Sequence, residues 1–435
     1  MELKKYKLGD CLTMIENGAV IKQKKNAGGI PITRIETLSN DRFNRDRLGY
    51  ADIFDESSYS HFILDDMDLI MSHINSRTFL GRTVIYRKHG DEKIIHGMNV
   101  LRLKTDIKVL NPLYAYYYFK TNGFRTAIDH IRKDAINQSS LATSDIKNLE
   151  ILIPSIEEQS VIVSILDNLD RKIALNCAIN QNLEALAKQF YDYWFVQFNF
   201  PNEEGKPYKS NGGTMTFCKE LQIDIPQNWS VCRLSEFINK NNTGDWGADN
   251  PSDDSIEIGC IRGADIIKLN GLPRRYIKLK NKTKLLTEWD VVIEVSGGSP
   301  VQATGRSAFI TPGVIKRNGG KITCSNFCHA FSFKDARESA YFFFMWRMFY
   351  DNDIMFNYEG KTSGIKNFMT ETFLANKWVK APTELIHKFF DIVKDIYSKI
   401  DTNIAENNGL IKQRDELLPL LMNGQVSLNS DLSNG

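Results

Sequence analysis

Long apolar segments are missing from this sequence. No run approaches the roughly 18 uninterrupted apolar residues of a membrane span, and the opening residues, MELKKYKLGD, lack the apolar core of a signal peptide. Cysteine is scarce as well: the seven residues are odd in number and scattered, unlike a disulfide framework. Cys324, Cys328 and His329 do not have the spacing of zinc ligands. We therefore expect a cytoplasmic protein with no membrane contact, no metal and buried, structural thiols.

Signatures of catalysis are missing too. The sequence has no P-loop, no Gly-rich cofactor loop after a strand, no paired nuclease carboxylates and no Ser-His-Asp order. Asn111-Pro112-Leu113-Tyr114 comes close to the Asn-Pro-Pro-Tyr motif with which amino-methyltransferases hold adenine. Because proline is favoured in the first turn of a helix, and the second half of the chain lacks the motif, we interpret it as a helix start. The sequence therefore predicts no catalytic residue.

Charge is unevenly distributed, although the net charge is only +2. Residues 1–150 carry a net +4 and residues 226–382 a net +5, whereas residues 151–225 carry −4 and residues 383–435 carry −3. Two basic blocks thus alternate with two acidic ones. This partition favours two polyanion-binding lobes separated by solvated helices, and ordinary variation of surface charge is the alternative reading.

One amphipathic helix pattern occurs twice, 227 residues apart. Positions seven residues apart carry apolar side chains with an asparagine in the middle, at Ile162, Leu169, Asn176, Leu183 and Phe190, and at Phe389, Ile396, Asn403, Leu410 and Leu417. In each series a lysine, Lys172 or Lys399, precedes the asparagine by four residues. A sustained seven-residue repeat predicts a coiled coil, in which a buried asparagine fixes the register at some cost in stability.

We therefore assign a role in helix register to Lys172, Asn176, Lys399 and Asn403, with the two asparagines close to each other. Replacing both asparagines by leucine is expected to raise the melting temperature and to loosen the register.

The segments between the helices are repeated in the same order. An apolar strand introduced by Asp68 or Asp290, a Gly-Arg pair, a buried strand, an aromatic helix and a strand ending in proline follow one another in both halves. Pro154 and Pro382 precede the long helices, and Ser155-Ile-Glu-Glu158 fits a capping box. The order predicts an α+β protein of two homologous lobes, with long helices that run antiparallel because each leaves its lobe towards the other. The predicted boundaries are residues 1–154 and 226–382 for the lobes, 155–197 and 383–424 for the helices, 198–225 for a connecting loop and 425–435 for a flexible tail.

Several of these segments closely resemble the specificity (S) subunits of type I DNA restriction-modification systems. The resemblance is carried by IPSIEEQSVIVSILDNLD at 153–170, FYDYWF at 190–195, EGKPYKSNGG at 204–213, IPQNW at 225–229 and LLPLLMNG at 417–424. SGGSPVQ at 296–302, followed by Gly305-Arg306, is similar to a pattern of the target-recognition domains of this family. The resemblance covers essentially the whole chain.

The resemblance implies a non-catalytic subunit with two homologous target-recognition domains, each reading one half of a split DNA target, and a pseudo-two-fold symmetric coiled-coil spacer. It implies docking of two methyltransferase (M) subunits, which bind S-adenosylmethionine and methylate adenine at N6, and of restriction (R) subunits, which use ATP and Mg. No cofactor is expected in this chain. The alternatives are a coiled-coil scaffold that binds protein without DNA specificity, and a stand-alone adenine methyltransferase.

Candidate DNA contacts are basic or small polar residues of the lobes, since arginine and lysine bind phosphates and guanine, while glutamine can read adenine. In the first lobe they are Lys22, Lys24, Lys25, Arg34, Arg45, Arg47, Ser76, Arg77 and Arg82. In the second lobe they are Arg262, Arg274, Arg275, Ser299, Gln302, Arg306, Arg317, Lys361 and Lys366. Each single residue is as readily a solvated surface charge, so the prediction concerns the set.

Overall fold

A computed structural model describes residues 2–24, 28–39, 42–53, 55, 57–136, 138–299, 301–362 and 364–426. The chain divides into two compact units, one formed by residues 1–173 and 409–435 and the other by residues 174–408. Each unit combines a lobe of strands and short helices with a segment of both long helices. The predicted α+β class is confirmed. Among the described residues we find no helix with an apolar stretch of membrane-spanning length.

The first lobe is built mainly from short strands. In its described residues the strands are β1 (Lys4–Lys7), β2 (Leu12–Asn17), β3 (Gln23–Lys24), β4 (Ile30–Ile32), β5 (Leu38–Ser39), β6 (Arg42–Phe43), β7 (Gly49–Ala51), β8 (Leu69–Ser72), β9 (Ile74–Asn75), β10 (Thr83–Ile85), β11 (Val100–Thr105), β12 (Lys133–Asp134), β13 (Ser139–Ser140) and β14 (Glu150–Ile153). The helices are α1 (Pro112–Tyr118), α2 (Asn122–Ile131) and α3 (Thr143–Lys147), followed by the long helix α4 (Ile156–Tyr191). A π-helical turn, Asp192–Val196, continues α4.

The second lobe repeats this construction. Its strands are β15 (Met215–Cys218), β16 (Ile223–Pro226), β17 (Ser230–Arg233), β18 (Ile238–Thr243), β19 (Ser255–Ile261), β20 (Arg274–Lys278), β21 (Val291–Glu294), β22 (Ser296–Gly297), β23 (Ser307–Phe309), β24 (Ile322–Cys324), β25 (Cys328–Phe333), β26 (Glu359–Thr362), β27 (Ile365–Phe368) and β28 (Lys377–Lys380). Its helices are α5 (Pro312–Arg317), α6 (Ser339–Asp351), α7 (Thr370–Leu374) and the long α8 (Thr383–Met422). The predicted connecting loop differs from the structure, because β15 and β16 pair antiparallel within it.

The central sheets of the two lobes have the same topology. The strand order is β10-β8-β11-β2 in the first lobe and β23-β21-β25-β18 in the second, with antiparallel neighbours throughout. The acid before the second strand closes the same turn in each: Asp68 accepts from the Asp65 N–H at 2.8 Å, and Asp290 from the Thr287 N–H at 2.8 Å. Burial raises the pKa of both carboxyls. The predicted duplication is therefore present in backbone and side-chain detail.

The two aromatic helices lie in the cores, as predicted. Tyr114–Tyr117 of α1 and Tyr341–Trp346 of α6 are buried. All seven cysteines are free thiols, and Cys11, Cys260, Cys324 and Cys328 are buried. Burial raises the pKa of the Cys260 thiol to about 12, which keeps it protonated and unreactive at neutral pH.

The long helices begin and pack as the sequence predicted. The Glu158 N–H donates to the Ser155 hydroxyl at 3.3 Å, and the Ser155 N–H donates to the Glu158 carboxylate at 3.2 Å, which completes the capping box. All ten heptad positions are buried or half-buried. α8 ends at Met422, just before Asn423-Gly424. The greater part of the predicted tail, residues 427–435, lies outside the described residues.

Two asparagine pairs join α4 to α8 within the second unit, and three of their four side chains are buried. The Asn176 amide donates to Asn407 at 2.9 Å, and the Asn403 amide donates to Asn180 at 2.8 Å. From the first pair to the second, the residue number rises along α4 and falls along α8, so these segments are antiparallel. The expectation that Asn176 and Asn403 pair with each other is corrected, because each faces an asparagine four residues along the other helix. Lys172 and Lys399 are exposed, and their register role stays a prediction.

Candidate nucleic-acid interface

Among the described residues, each lobe has two three-stranded sheets apart from its central sheet, and one of them has the same construction in both lobes. In the first lobe β12 and β13 form a hairpin, and β13 pairs with β9, which directly follows central strand β8. In the second lobe β26 and β27 form a hairpin, and β27 pairs with β22, which directly follows central strand β21. We call these the first and second hairpin sheets. Since both lobes build the same sheet at the same point in the strand order, it is suited to a function that both share.

Three predicted contacts lie beside the first hairpin sheet. Ser76 and Arg77 directly follow β9 and are exposed, and the Arg77 side chain is 71% exposed, with its Nε 4.0 Å from Asp129. Arg82 is half-buried and lies over the ring of Phe79, with 4.5 Å between guanidinium carbon and ring centroid. The sheet therefore presents an accessible cation and hydroxyl next to its edge.

Four predicted contacts belong to the second hairpin sheet. Ser299 and Gln302 lie in the loop after β22, and Gln302 is exposed. Lys361 and Lys366 lie on the hairpin strands, although only the backbone of Lys361 is described. The Lys366 ammonium is 2.9 Å from the Glu359 carboxylate, and the Lys366 side chain is only 14% exposed. Lys366 therefore joins the two strands of the hairpin and does not project into solvent.

Arg45, by contrast, serves an internal network. Its guanidinium binds the Glu92 carboxylate through two nitrogens, donates to the Arg87 carbonyl at 2.7 Å and lies over the rings of Phe43 and Tyr86. Hydrogen bonding from Arg45 lowers the pKa of Glu92 to about 2. A guanidinium held this way has few donors left for a phosphate.

Two predicted DNA contacts of the second lobe are likewise held in ion pairs within the lobe. Arg306 makes two hydrogen bonds of 2.7 Å to the buried Glu294 carboxylate. Arg275 is 7% exposed, pairs with Asp249 and stacks on Trp246 at 4.3 Å. These residues shape loops and do not offer free charge to a ligand.

Arginine also anchors each lobe to the long helix that leaves it. In the first unit Arg87 pairs with Asp167 of α4. In the second unit Arg317 binds Asp401 of α8 at 2.6 Å, and the Gly313 N–H donates to the same carboxylate at 3.1 Å. Arg317, predicted as a DNA contact, therefore helps to orient its lobe on the helix.

The remaining candidates are more accessible. Lys22 and Arg47 are exposed. Three others contact a neighbouring group: Arg34 contacts Glu36 at 3.6 Å, Arg262 contacts Asp265 at 2.7 Å, and Arg274 donates to the Asn318 carbonyl at 3.0 Å. Lys25 lies outside the described residues, and only the backbone of Lys24 is described. That the predicted residues contact DNA stays a prediction. Their burial and ion pairs limit it to the residues whose side chains are exposed.

Arg45 and Arg47 provide a matched test of that distinction. Replacing Arg45 by glutamine is expected to cost about 1–2 kcal/mol of unfolding free energy, because the partly buried Glu92 loses its partner. The pKa of Glu92 is lowered in the folded state, so its contribution is present above about pH 4.5 and is lost as pH falls towards 2. Replacing the exposed Arg47 by glutamine should leave stability unchanged.

The unfolding of both variants by denaturant is measured at pH 7 and pH 3. The salt dependence of their DNA binding is measured with the chain in complex with its partner subunits. If Arg47 contacts a phosphate, its loss lowers the slope of log affinity against log salt by about one. A lower slope with unchanged stability for Arg45→Gln would contradict the internal role of Arg45.

Sequence reasoning missed the hairpin tips. Ile136, whose side chain is fully exposed, lies shortly after β12 and three residues after the exposed Lys133. The only local signal was a basic pair, Arg132-Lys133, followed shortly by a polar turn. Strands of two residues are too short to produce an alternating pattern.

The methyltransferase-like motif has a structural explanation. The Asn111 side-chain oxygen accepts from the N–H groups of Leu113 at 2.9 Å and Tyr114 at 3.3 Å, and Pro112 is the first residue of α1. These are the contacts of a helix N-cap. The helix-start interpretation of this motif is confirmed.

Comparison with known proteins agrees with this architecture. Residues 1–185 match the type I restriction modification DNA specificity domain. The chain is 33% identical over 227 residues to the MjaX type I restriction enzyme specificity subunit of Methanocaldococcus jannaschii, covering 52% of this chain and 50% of that protein. It is 26% identical over 327 residues to the MjaIX specificity subunit of the same organism, covering 72% of this chain and 68% of that protein. The chain thus spans half the length of the first relative.

A solved structure extends the likeness of fold. The S subunit of the type I restriction-modification system of M. genitalium superimposes with a TM-score of 0.54 at 15% identity, over 97% of this chain and 96% of that one. Both relatives are named as specificity subunits. The first 185 residues thus match the type I restriction modification DNA specificity domain, and more than half of the chain is similar to proteins named as type I specificity subunits.

Proposed function

We propose that this chain is the DNA-reading subunit of a type I restriction-modification complex, with each lobe recognising one half of a split target. The observation that carries the proposal is the duplication: both lobes have the same central strand order and the same hairpin sheet. Two copies of one reading device suit two half-sites. A spacer of two packed helices would then hold the half-sites at a fixed separation.

The proposal assigns the chemistry to partner subunits. Methyltransferase subunits would bind S-adenosylmethionine and methylate adenine, and restriction subunits would use ATP and Mg, while this chain binds no cofactor. Since the ligand is cellular DNA, the proposed location is the cytoplasm.

Exposed apolar side chains support two equivalent docking sites for methyltransferase subunits. In the second unit Leu186, Tyr193 and Val196 are 41%, 39% and 43% exposed, beside an open cleft of about 420 Å³ at the end of α4. In the first unit Leu420 of α8 is 39% exposed. Leu420 follows Tyr193 by the 227 residues of the helix repeat. Exposed apolar side chains beside a cleft are typical of protein interfaces.

Methylome sequencing of cells with and without this chain tests the proposal. We expect a split adenine motif to be methylated when the chain is present and to disappear when it is deleted. Complementation with the wild-type gene should restore the same motif. An identical methylome in all three strains would refute the proposal, and salt-independent binding of the assembled complex to duplex DNA would favour a protein scaffold.

A further inference from the structure

We propose that the hairpin of each hairpin sheet enters a groove of the DNA duplex, and that an isoleucine at its tip contacts the methyl group of a thymine. The residues are Ile136 in the first lobe and Ile365 in the second. The inference rests on the proposed function and adds how each lobe reads its half-site.

The exposure of the two isoleucines is the first observation. The Ile136 side chain is 101% exposed, and Ile365, directly after Gly364 in the turn of the second hairpin, is 46% exposed. Apolar side chains distinguish thymine by contact with its C5-methyl group in the major groove. An aliphatic side chain presented in the equivalent hairpin of both lobes suits this contact.

The first hairpin is held rigidly behind its tip. The Arg132 side chain is only 10% exposed, donates from Nε to Asp134 at 2.6 Å and also pairs with Asp129. The Ser139 hydroxyl donates to Asp134 at 2.6 Å. The turn itself is closed by a hydrogen bond of 3.0 Å from the Ala135 N–H to the Gln138 carbonyl. Strands fixed in this way before binding lose little conformational entropy on binding.

Charge and polarity around the tip suit a groove. Lys133 and Arg77 are 65% and 71% exposed close to the base of the hairpin, where each makes a surface ion pair, with Asp145 at 3.2 Å and Asp129 at 4.0 Å. Such exposed pairs contribute little to stability, so both cations can turn to the phosphates that border a groove. Gln138 is exposed on the far side of the turn and can hydrogen-bond an adenine edge. A two-stranded ribbon fits the major groove, which is about 12 Å wide.

The second hairpin has its own support. Lys366 binds Glu359 across the two strands at 2.9 Å, and the Glu359 carboxylate accepts from the Thr304 N–H at 2.7 Å. The Ser296 hydroxyl donates to Asn367 at 2.6 Å, which joins the hairpin to β22. Both tips are therefore carried on fixed bases built from different residues, as expected if the two lobes read different sequences.

The test compares Ile136→Ala and Ile365→Ala with Ile107→Ala, whose isoleucine is 72% exposed outside the hairpin sheets. Each gene replaces the wild type in the deletion strain, and the methylome is sequenced. We expect Ile136→Ala to raise methylation about fivefold at sites that differ at one T·A pair of one half-site. Ile365→Ala should do the same in the other half-site, and Ile107→Ala should change nothing.

A second measurement identifies the methyl group. Deoxyuridine replaces thymine at the affected position of a synthetic duplex, and binding to the purified wild-type and variant complexes is measured. The wild type should lose affinity about fourfold, the value of one buried methyl group, and Ile136→Ala should be indifferent to the replacement. Equal losses in both complexes would overturn the contact.

The outcomes separate this inference from the proposed function. A wild-type strain without a split adenine motif would refute the proposed function. A wild-type motif that both isoleucine variants leave unchanged would refute only the reading role of the tips. Because both side chains are exposed, unaltered melting temperatures are expected and exclude misfolding as the cause of an altered motif.

Discussion

Replacing Arg102 by methionine is expected to lower the unfolding free energy of the first unit by about 3–5 kcal/mol at pH 7. Arg102 is 3% exposed in the central sheet, and its Nε lies 2.6 Å from the carboxylate of Asp68, which is 2% exposed. The same guanidinium donates to the His61 carbonyl at 3.0 Å and to Asp65 at 3.0 Å. Methionine fills similar volume but leaves Asp68 buried without its cation.

The loss should depend on pH in a defined direction. Burial already raises the pKa of Asp68, and removing Arg102 removes the main interaction that opposes this shift. A carboxyl whose folded pKa is raised contributes most below its unfolded pKa and loses that contribution as pH rises through the folded value. The variant should therefore be more stable at pH 5 than at pH 7, because a lower pH favours the protonated form of Asp68. Lys104 and Asp65 remain as a pair beside it.

Denaturant unfolding at both pH values, with hydrogen exchange of the β8 and β11 amides, checks this expectation. The control is Asp68→Asn in the Arg102→Met background, because the amide oxygen can still accept the Asp65 N–H without a charge. It should recover most of the loss and abolish its pH dependence. A loss below about 1 kcal/mol, or one independent of pH, would contradict the role of this pair.

Replacing Asn176 and Asn403 together by leucine is expected to lower the melting temperature of the second unit by about 5–15 °C. The reason is that their partners remain. Asn407 is 7% exposed, and its side-chain oxygen accepts a hydrogen bond from the Asn176 amide. The side-chain oxygen of Asn180 accepts one from the Asn403 amide. Each leucine removes the hydrogen bond that one of these asparagine oxygens accepts, at about 1–3 kcal/mol apiece.

The matched control removes both members of one pair. Asn180→Leu with Asn403→Leu removes both side chains of that pair and should melt close to the wild type or above it. Thermal melts of the three proteins, followed by circular dichroism, decide between the two outcomes. A rise in melting temperature for Asn176→Leu with Asn403→Leu would support the expectation drawn from the heptad alone, which treated the two asparagines as one pair.

Local sequence patterns were sufficient for much of the architecture. The heptad positions, the Ser155 capping box and the acid that opens each central strand are set by residues within a few positions of one another, so their spacing is visible in the sequence. The duplication is visible for the same reason, since each half repeats these local signals in the same order. The match extends to the strand order of both central sheets.

The accessible cations were not predictable in the same way. Arg45 and Arg47 are two residues apart and look alike in sequence, yet only Arg45 meets Glu92, which is 47 residues away along the chain. Arg317 meets Asp401 across 84 residues. Whether an arginine is free for DNA depends on such distant partners, which are brought together only by folding.

The sequence by itself therefore determined the duplicated α+β plan, the two heptad helices and the resemblance to specificity subunits. The tertiary structure decided which asparagines pair across the helices and which arginines are held in ion pairs within a lobe. It also decided that strands of only two to four residues assemble into a hairpin sheet in each lobe. The physical reason is range: helix periodicity and turn chemistry act over a few residues, whereas ion pairs and sheet registers join residues that the sequence places far apart.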